Sequence, residues 1–287
     1  MTSNRLSPGN IWKSAAFVWL AAFVVIGGSR LNWWHATHHQ IRLVFALIDA
    51  LAYGVAAILC LRIADEHRDS PKMRQAWMML TVSAFFSAIR HAALAAISIR
   101  TADGPDSLAG HITAQGFMVL SLVFLTAGLF YIWRAFSALQ LGFSLHPIDI
   151  VMFVSIVVLV PPIIISSSFS LPSSYNILVP AFRYAGAILL PVSAVMGILL
   201  YRIAVQMRGG ELARSLRMLV IFAVGRLLMS MLNALPALRA NPTVSTLDQV
   251  IMQGIPFLFT LAAAYRWQIT QNARIAMAER EIGVLAM

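Results

Sequence analysis

Eight long apolar stretches separated by short polar segments set the pattern of this chain. They run from Ile11 to Gly28, Ile41 to Leu61, Ala76 to Ile99, Ile112 to Ile132, Ile148 to Ser166, Phe182 to Tyr201, Leu216 to Leu235 and Val250 to Tyr265. Each is close to the roughly 20 residues that a helix rising about 1.5 Å per residue needs to cross a bilayer. The expected fold is therefore all-α, a polytopic integral membrane protein of about eight transmembrane helices. After Tyr265 the pattern becomes amphipathic, with Ile269, Ile275, Ile282 and Leu285 along one side and Glu279, Arg280 and Glu281 on the other, which predicts a helix continuing beyond the last span. The domain reading is one membrane domain over residues 1–266 followed by a cytoplasmic C-terminal helix, 267–287.

Basic residues orient the spans. With the amino terminus placed in the cytoplasm, the inner segments hold Arg5, Lys13, Arg62, Arg68, Lys72, Arg74, Arg134, Arg202, Arg208, Arg214, Arg217, Arg266, Arg274 and Arg280. The outer loops hold only Arg30, Arg42, Arg100, Arg183 and Arg239, and Arg90 and Arg226 lie inside spans. This asymmetry follows the positive-inside rule for eight spans with both termini cytoplasmic. A chain that is 60% apolar and 11% charged is excluded as an ordinary soluble domain. Its net charge of +10 sits at span ends, where it meets anionic headgroups of the lipid bilayer, so no nucleic-acid partner is expected. Tryptophans fit the layout, with Trp12, Trp77, Trp133 and Trp267 near inner ends and Trp33 and Trp34 near an outer one. The first stretch ends in Gly27, Gly28, Ser29 and Arg30 without a small-residue cleavage pattern and reads as retained. The single cysteine, Cys60, reads as a small buried apolar residue.

The two halves of the chain resemble each other. A shift of 140 aligns Ile58, Leu59, Arg62, Ile63, Ala64, Arg68, Arg74 and Met78 with Ile198, Leu199, Arg202, Ile203, Ala204, Arg208, Arg214 and Met218. A shift of 138 then matches Gln115 and Gly116 with Gln253 and Gly254. This pattern predicts a parallel four-plus-four repeat with halves 11–136 and 148–266. Against it, arginines recur at inner ends in any event, and the first and fifth stretches match poorly at the same shift.

Charges inside a bilayer are costly and mark either an ion pair or a pathway. Asp49, Arg90 and Arg226 lie at similar depth below the outer ends of the second, third and seventh stretches, with His91 beside Arg90. One expectation is an ion pair of Asp49 with Arg90 or Arg226. The arginine left over would attract an anionic group, because its planar fork of donors suits carboxylates and phosphates. The other expectation is plain structural glue between helices. Pro161, Pro162, Pro191 and Pro256 are expected to interrupt three helices and open the outer half, with Gln115, Asn233 and Gln253 as polar lining. The candidate ligand residues are thus Asp49, Arg90, His91, Arg226, Gln115 and Gln253.

Trp33 to His39 reads W-W-H-A-T-H-H. His35, His38 and His39 are a candidate zinc or copper site on the outer face, or a hydrated histidine cluster. The string resembles one histidine box of membrane fatty-acid desaturases and hydroxylases, which implies a di-iron site of about eight imidazoles; here His67, His91, His111 and His146 are isolated and the string lies on the outer side, so that activity is not expected. No phosphate loop, nucleophile elbow, metalloprotease helix or paired carboxylates occur. The protein is expected to be no enzyme and to use no cofactor. Asp65, Glu66 and Asp69, mixed with arginines, read as a solvated face.

His67 to Leu94, with Arg68, Asp69, Arg74, Ala76 and Trp77 leading into an apolar span, resembles the inner-loop-to-helix pattern in multi-pass sensor modules of bacterial histidine kinases and diguanylate cyclases. The segment Arg266 to Ile282 is similar to the linker such modules send toward an output domain. The resemblance implies a bacterial inner-membrane sensor. The sequence contains no such output domain, so a separate cytoplasmic or membrane signalling partner is expected. The expected function is a non-enzymatic receptor binding a small molecule or lipid from the outer side and signalling through the C-terminal helix. A small-molecule transporter with a mid-membrane site and a structural subunit of a membrane complex are the alternatives.

Overall fold

The structure, a computed structural model, describes Val24 and residues 38–100, 108–137, 147–166, 177–207, 210–234 and 242–285. The first apolar stretch, Ile11 to Gly28, therefore lies outside the described residues except for Val24. Among those described, seven helices follow one another: α1 (His38–Glu66), α2 (Pro71–Arg100), α3 (Leu108–Ser137), α4 (Pro147–Ser166), α5 (Leu178–Gln206), α6 (Glu211–Ala234) and α7 (Pro242–Leu285). Each contains one of the remaining apolar stretches, apart from Leu235 just past the end of α6. Five are long and apolar enough to cross a membrane, and α4 is apolar but shorter over Asp149–Ile165.

Helix packing follows a ring. α1 lies against α2, α2 against α3, α3 against α5, α5 against α6, α6 against α7, and α7 closes back onto α1. α4 stands outside the ring on α5 and α6, held there by a bidentate Arg202 to Asp149 ion pair between α5 and α4. One stripe of each ring helix is buried, as with Tyr53, Ala56, Cys60, Ile63 and Ala64 of α1. The other side stays apolar yet exposed, with Leu51 71% and Ile58 59% accessible. A helix apolar on both its buried and its exposed side belongs in lipid. The protein is an all-α multi-pass membrane protein.

Small residues let the helices approach closely, as expected where lipid tails are as apolar as leucine. Between α2 and α3, Ser83 Oγ donates to Ser121 O at 2.8 Å and Ser87 Oγ lies 2.7 Å from Ser121 Oγ. Further along the same seam, Gly128 is buried against Leu80 and the Ala76 carbonyl.

Two sequence expectations change here. The helices run unbroken through Pro161 and Pro162, Pro191 and Pro256. Nearby hydroxyls occupy carbonyls around two of these positions: Ser193 Oγ donates to Leu190 O at 2.8 Å, and Thr260 Oγ1 donates to Pro256 O at 3.1 Å and to Ala52 O of α1 at 2.8 Å. These hydroxyls do not replace the bonds that the prolines remove, whose acceptors are the Ala187 and Met252 carbonyls; each helix continues across the gap of a single backbone bond. Trp77 is not an interfacial anchor but a core residue, 2% exposed, because the start of α2 is packed against its neighbours. Cys60 is buried as expected, and the tail is helical, continuous with the span before it.

Candidate functional site: a charged cluster inside the ring

Charged side chains from three helices converge at one level. Asp49 lies eleven residues into α1, Arg90 ten residues before the end of α2, and Arg226 eight residues before the end of α6. At about 1.5 Å per residue these positions are about 12 to 17 Å from the same end of the ring. Helical periodicity builds each corner. Asp49 and Tyr53 are one turn apart on the buried stripe of α1, at 5% and 4% exposure. Phe222 and Arg226 share a face of α6, with the Arg226 guanidinium carbon 5.6 Å from the Phe222 ring centre, a cation–π arrangement. α7 contributes Phe259, fully buried, stacked on Phe222 at 4.8 Å and edge-on to Tyr53 at 6.4 Å. Tyr53 stacks on His91 at 5.7 Å. Arg90, Arg226, Asp49, Tyr53 and His91 all lie within electrostatic reach across the ring interior.

The expected Asp49–arginine ion pair is absent. Asp49 Oδ2 instead faces His91 Nδ1 at 3.4 Å. The reason is the stack on Tyr53, which places the imidazole beside the carboxylate, whereas Arg90 projects about 100° further round α2. Three buried polar atoms of the cluster have no hydrogen-bond partner: Asp49 Oδ1, Arg90 Nε and Arg226 Nη1. Two guanidinium groups face one carboxyl group, so among the described residues the cluster holds more positive groups than acids.

Of the candidate ligand residues, Asp49, Arg90, His91 and Arg226 are thus brought together. Gln115 does not join them. It lies on the stretch of α3 that, with Phe182 of α5, forms an apolar groove of about 430 Å³ lined by Ile112, Thr113, Gly116, Phe117 and Leu120. Gln253 is in α7 and His38 and His39 open α1, but their side chains, like His35 and Asn233, fall outside what the structure describes. The candidate metal site of His35, His38 and His39 therefore lies there too. Sequence reading missed Tyr53, Phe222 and Phe259. The signal was present for two of them, an aromatic residue four positions from each buried charge.

At the opposite end of the ring α1 grips α7. Glu66, read from sequence as part of a solvated face, accepts hydrogen bonds from Arg274 Nη1 at 2.8 Å and Gln271 Nε2 at 3.4 Å. Only the helix that the sequence placed beyond the last span brings these donors within reach. His67 is not isolated either. Its Nδ1 lies 2.8 Å from Ile63 O, and Arg266 Nη2 donates to its Nε2 at 2.9 Å. This assigns the proton to Nδ1 and leaves Nε2 as acceptor.

Burial pushes the His67 imidazole below its ordinary value of 6.5, the neighbouring Arg266 adding to the same effect, while the Ile63 carbonyl and Glu66 oppose it. A histidine with a lowered value binds fewer protons in the packed state, so the contact is favoured above its ordinary value and weakens as pH falls below it. Protonated Nε2 also loses its acceptor role toward Arg266. Spin labels at Arg68→Cys and Ala273→Cys should therefore report a longer, broader distance at about pH 5 than at about pH 7.5. The change should vanish in His67→Gln. A distance unaffected by pH in the parent protein would contradict this account.

The fold and the cluster together define a multi-pass helical membrane protein with unneutralised charge in its core. No protein-family model, curated protein or solved structure matches the chain.

Proposed function

We propose that the protein is a non-enzymatic receptor or sensory module of the bacterial inner (cytoplasmic) membrane. It binds a small molecule or lipid from the outer side at the Asp49, Arg90, His91 and Arg226 cluster and passes a helix shift to a separate signalling partner, in the manner of the sensor modules that its inner loop and tail resemble. The observation that carries this reading is the continuity of α7. Phe259 belongs to the aromatic stack of the cluster, and the same helix runs without interruption to Leu285. At 44 residues it is about 66 Å long, against a hydrocarbon core of about 30 Å. A displacement of Phe259 would move Arg266 and Arg274 against their partners on α1.

The full topology is eight spans with both termini in the cytoplasm, one membrane domain over 1–266 and the signalling helix at 267–287. The parallel repeat, halves 11–136 and 148–266, draws support from helix boundaries: α1 and α5 end at Glu66 and Gln206, and α2 and α6 begin at Pro71 and Glu211, each pair 140 apart. The ring is consistent with the same two-fold relation, since exchanging α1, α2, α3 with α5, α6, α7 maps every neighbouring pair onto another. That regularity favours a second reading, a transporter using repeats for alternating access around a mid-membrane site.

Removing the residues after Trp267 separates the two. A receptor truncated there keeps ligand affinity within about twofold and loses its cellular output. Retained ligand uptake by the truncated protein in proteoliposomes would establish the carrier instead.

A further inference from the structure

We propose that the cluster is an oxyanion site whose ligand is an amphiphilic anion, its carboxylate or phosphate head held between Arg90 and Arg226 and its apolar body lying along Tyr53, Phe222 and Phe259. The inference rests on the reading that the cluster binds a ligand and adds what class that ligand belongs to.

Charge sets the head group. Among the described residues Asp49 is the one carboxylate of the cluster, and it is turned to His91. Neither guanidinium makes a salt bridge to it, and a buried donor on each, Arg90 Nε and Arg226 Nη1, lacks a protein acceptor. Leaving charged donors unsatisfied in an apolar interior costs far more than leaving a neutral group so. An anion with two oxygens matches the planar fork of arginine and removes the excess charge. A cation would meet two like charges, and a neutral ligand would leave the excess standing.

The surroundings set the body. Phe222, Phe259 and Tyr53 pack on one another beside the arginines at 1%, 0% and 4% exposure, so the apolar body of the ligand would enter by parting this stack. The nearest further hydroxyl on α7, Thr260 Oγ1, is already committed to Ala52 O and Pro256 O. Two sources supply the chemistry, a soluble hydrophobic acid or a phospholipid of the surrounding membrane.

The test uses the full chain in nanodiscs of phosphatidylcholine, titrated by calorimetry with decanoate, decyl phosphate, decanol and decylamine. Decanoate or decyl phosphate should bind, and decanol and decylamine should not. Arg90→Gln and Arg226→Gln should each weaken the anion by about 10- to 150-fold, the span of a lost charged hydrogen bond. Arg226→Lys, which keeps the charge and loses the fork, should fall between, and keeps the test open if a glutamine variant fails to fold. Including phosphatidylglycerol in the nanodisc distinguishes the sources: competition with decanoate identifies a lipid ligand, and unchanged decanoate affinity a soluble acid. Decanol or decylamine binding as tightly as decanoate, and lost in Phe222→Ala, would overturn the anion class while leaving a ligand site. Anion binding unaffected by the arginine variants would overturn the site proposed for it. No binding of any of the four compounds to folded protein would overturn both.

Discussion

Replacing Asp49 with leucine is expected to be the most damaging single change in the ring interior, costing about 3–5 kcal/mol. The carboxylate is 5% exposed and, among the described residues, is the one acid that faces the cluster of Arg90 and Arg226. Its removal leaves two guanidinium groups and a histidine at one level of an apolar bundle, with like charges facing each other at low dielectric. The melting temperature in mild detergent should fall by several degrees. Asp49→Asn keeps the shape and the acceptor toward His91 and should lose less. If Asp49→Leu melts with the parent protein, the arginines are neutralised elsewhere and the charge argument is wrong.

The second large effect concerns packing. A side chain at Gly128 has no room: a Cβ built there would lie 2.7 Å from Leu80 Cδ2 and 3.2 Å from the Ala76 carbonyl oxygen. Leu80 is itself fully buried, so it cannot swing into lipid, and the carbonyl belongs to the backbone of α2. Gly128→Val must therefore push α3 away from α2, and overpacking of this kind costs about 1–3 kcal/mol. The same displacement strains the Ser83, Ser87 and Ser121 hydroxyl contacts nearer the cluster. Thermal denaturation of the purified protein should show the loss. By contrast Gly54, with open space around its Cα, should accept alanine with little change, and equal loss at both positions would contradict the seam geometry.

Much of this architecture was readable from the chain. Long apolar runs can hardly form anything but helices in lipid, because every backbone group must be satisfied internally. Seven of the eight stretches accordingly appear as helices, and the depth of Asp49, Arg90 and Arg226 followed from counting residues along them. What could not be read was which helices are neighbours. Nothing in the composition of α4 says that it stands outside the ring, and nothing local to Glu66 or His67 says that Arg274 and Arg266, about 200 residues away, are their partners. The pairing of Asp49 with His91 rather than with an arginine turned on a stack with Tyr53, a contact between helices. The prolines misled for another reason. A proline removes one backbone hydrogen bond, and one lost bond does not interrupt a helix that is packed along its length, as around the buried Pro191 and Pro256.

Under the proposed sensory function this arrangement would report on what the core contains. The charged cluster and the α1–α7 grip lie at different levels of the same two helices, so a change at Phe259 or Tyr53 has a rigid path to Arg266 and Arg274. Tightening the cluster around a ligand would bias that grip, which is what coupling between two sites requires.

The most direct measurement is a density map of the full chain purified in native lipid, inspected at the level of Asp49, Arg90 and Arg226. The account predicts non-protein density against Arg90 Nε and Arg226 Nη1, extending along Phe222 and Phe259. A dry core, with Asp49 closed onto an arginine and no density between the aromatic rings, would contradict it.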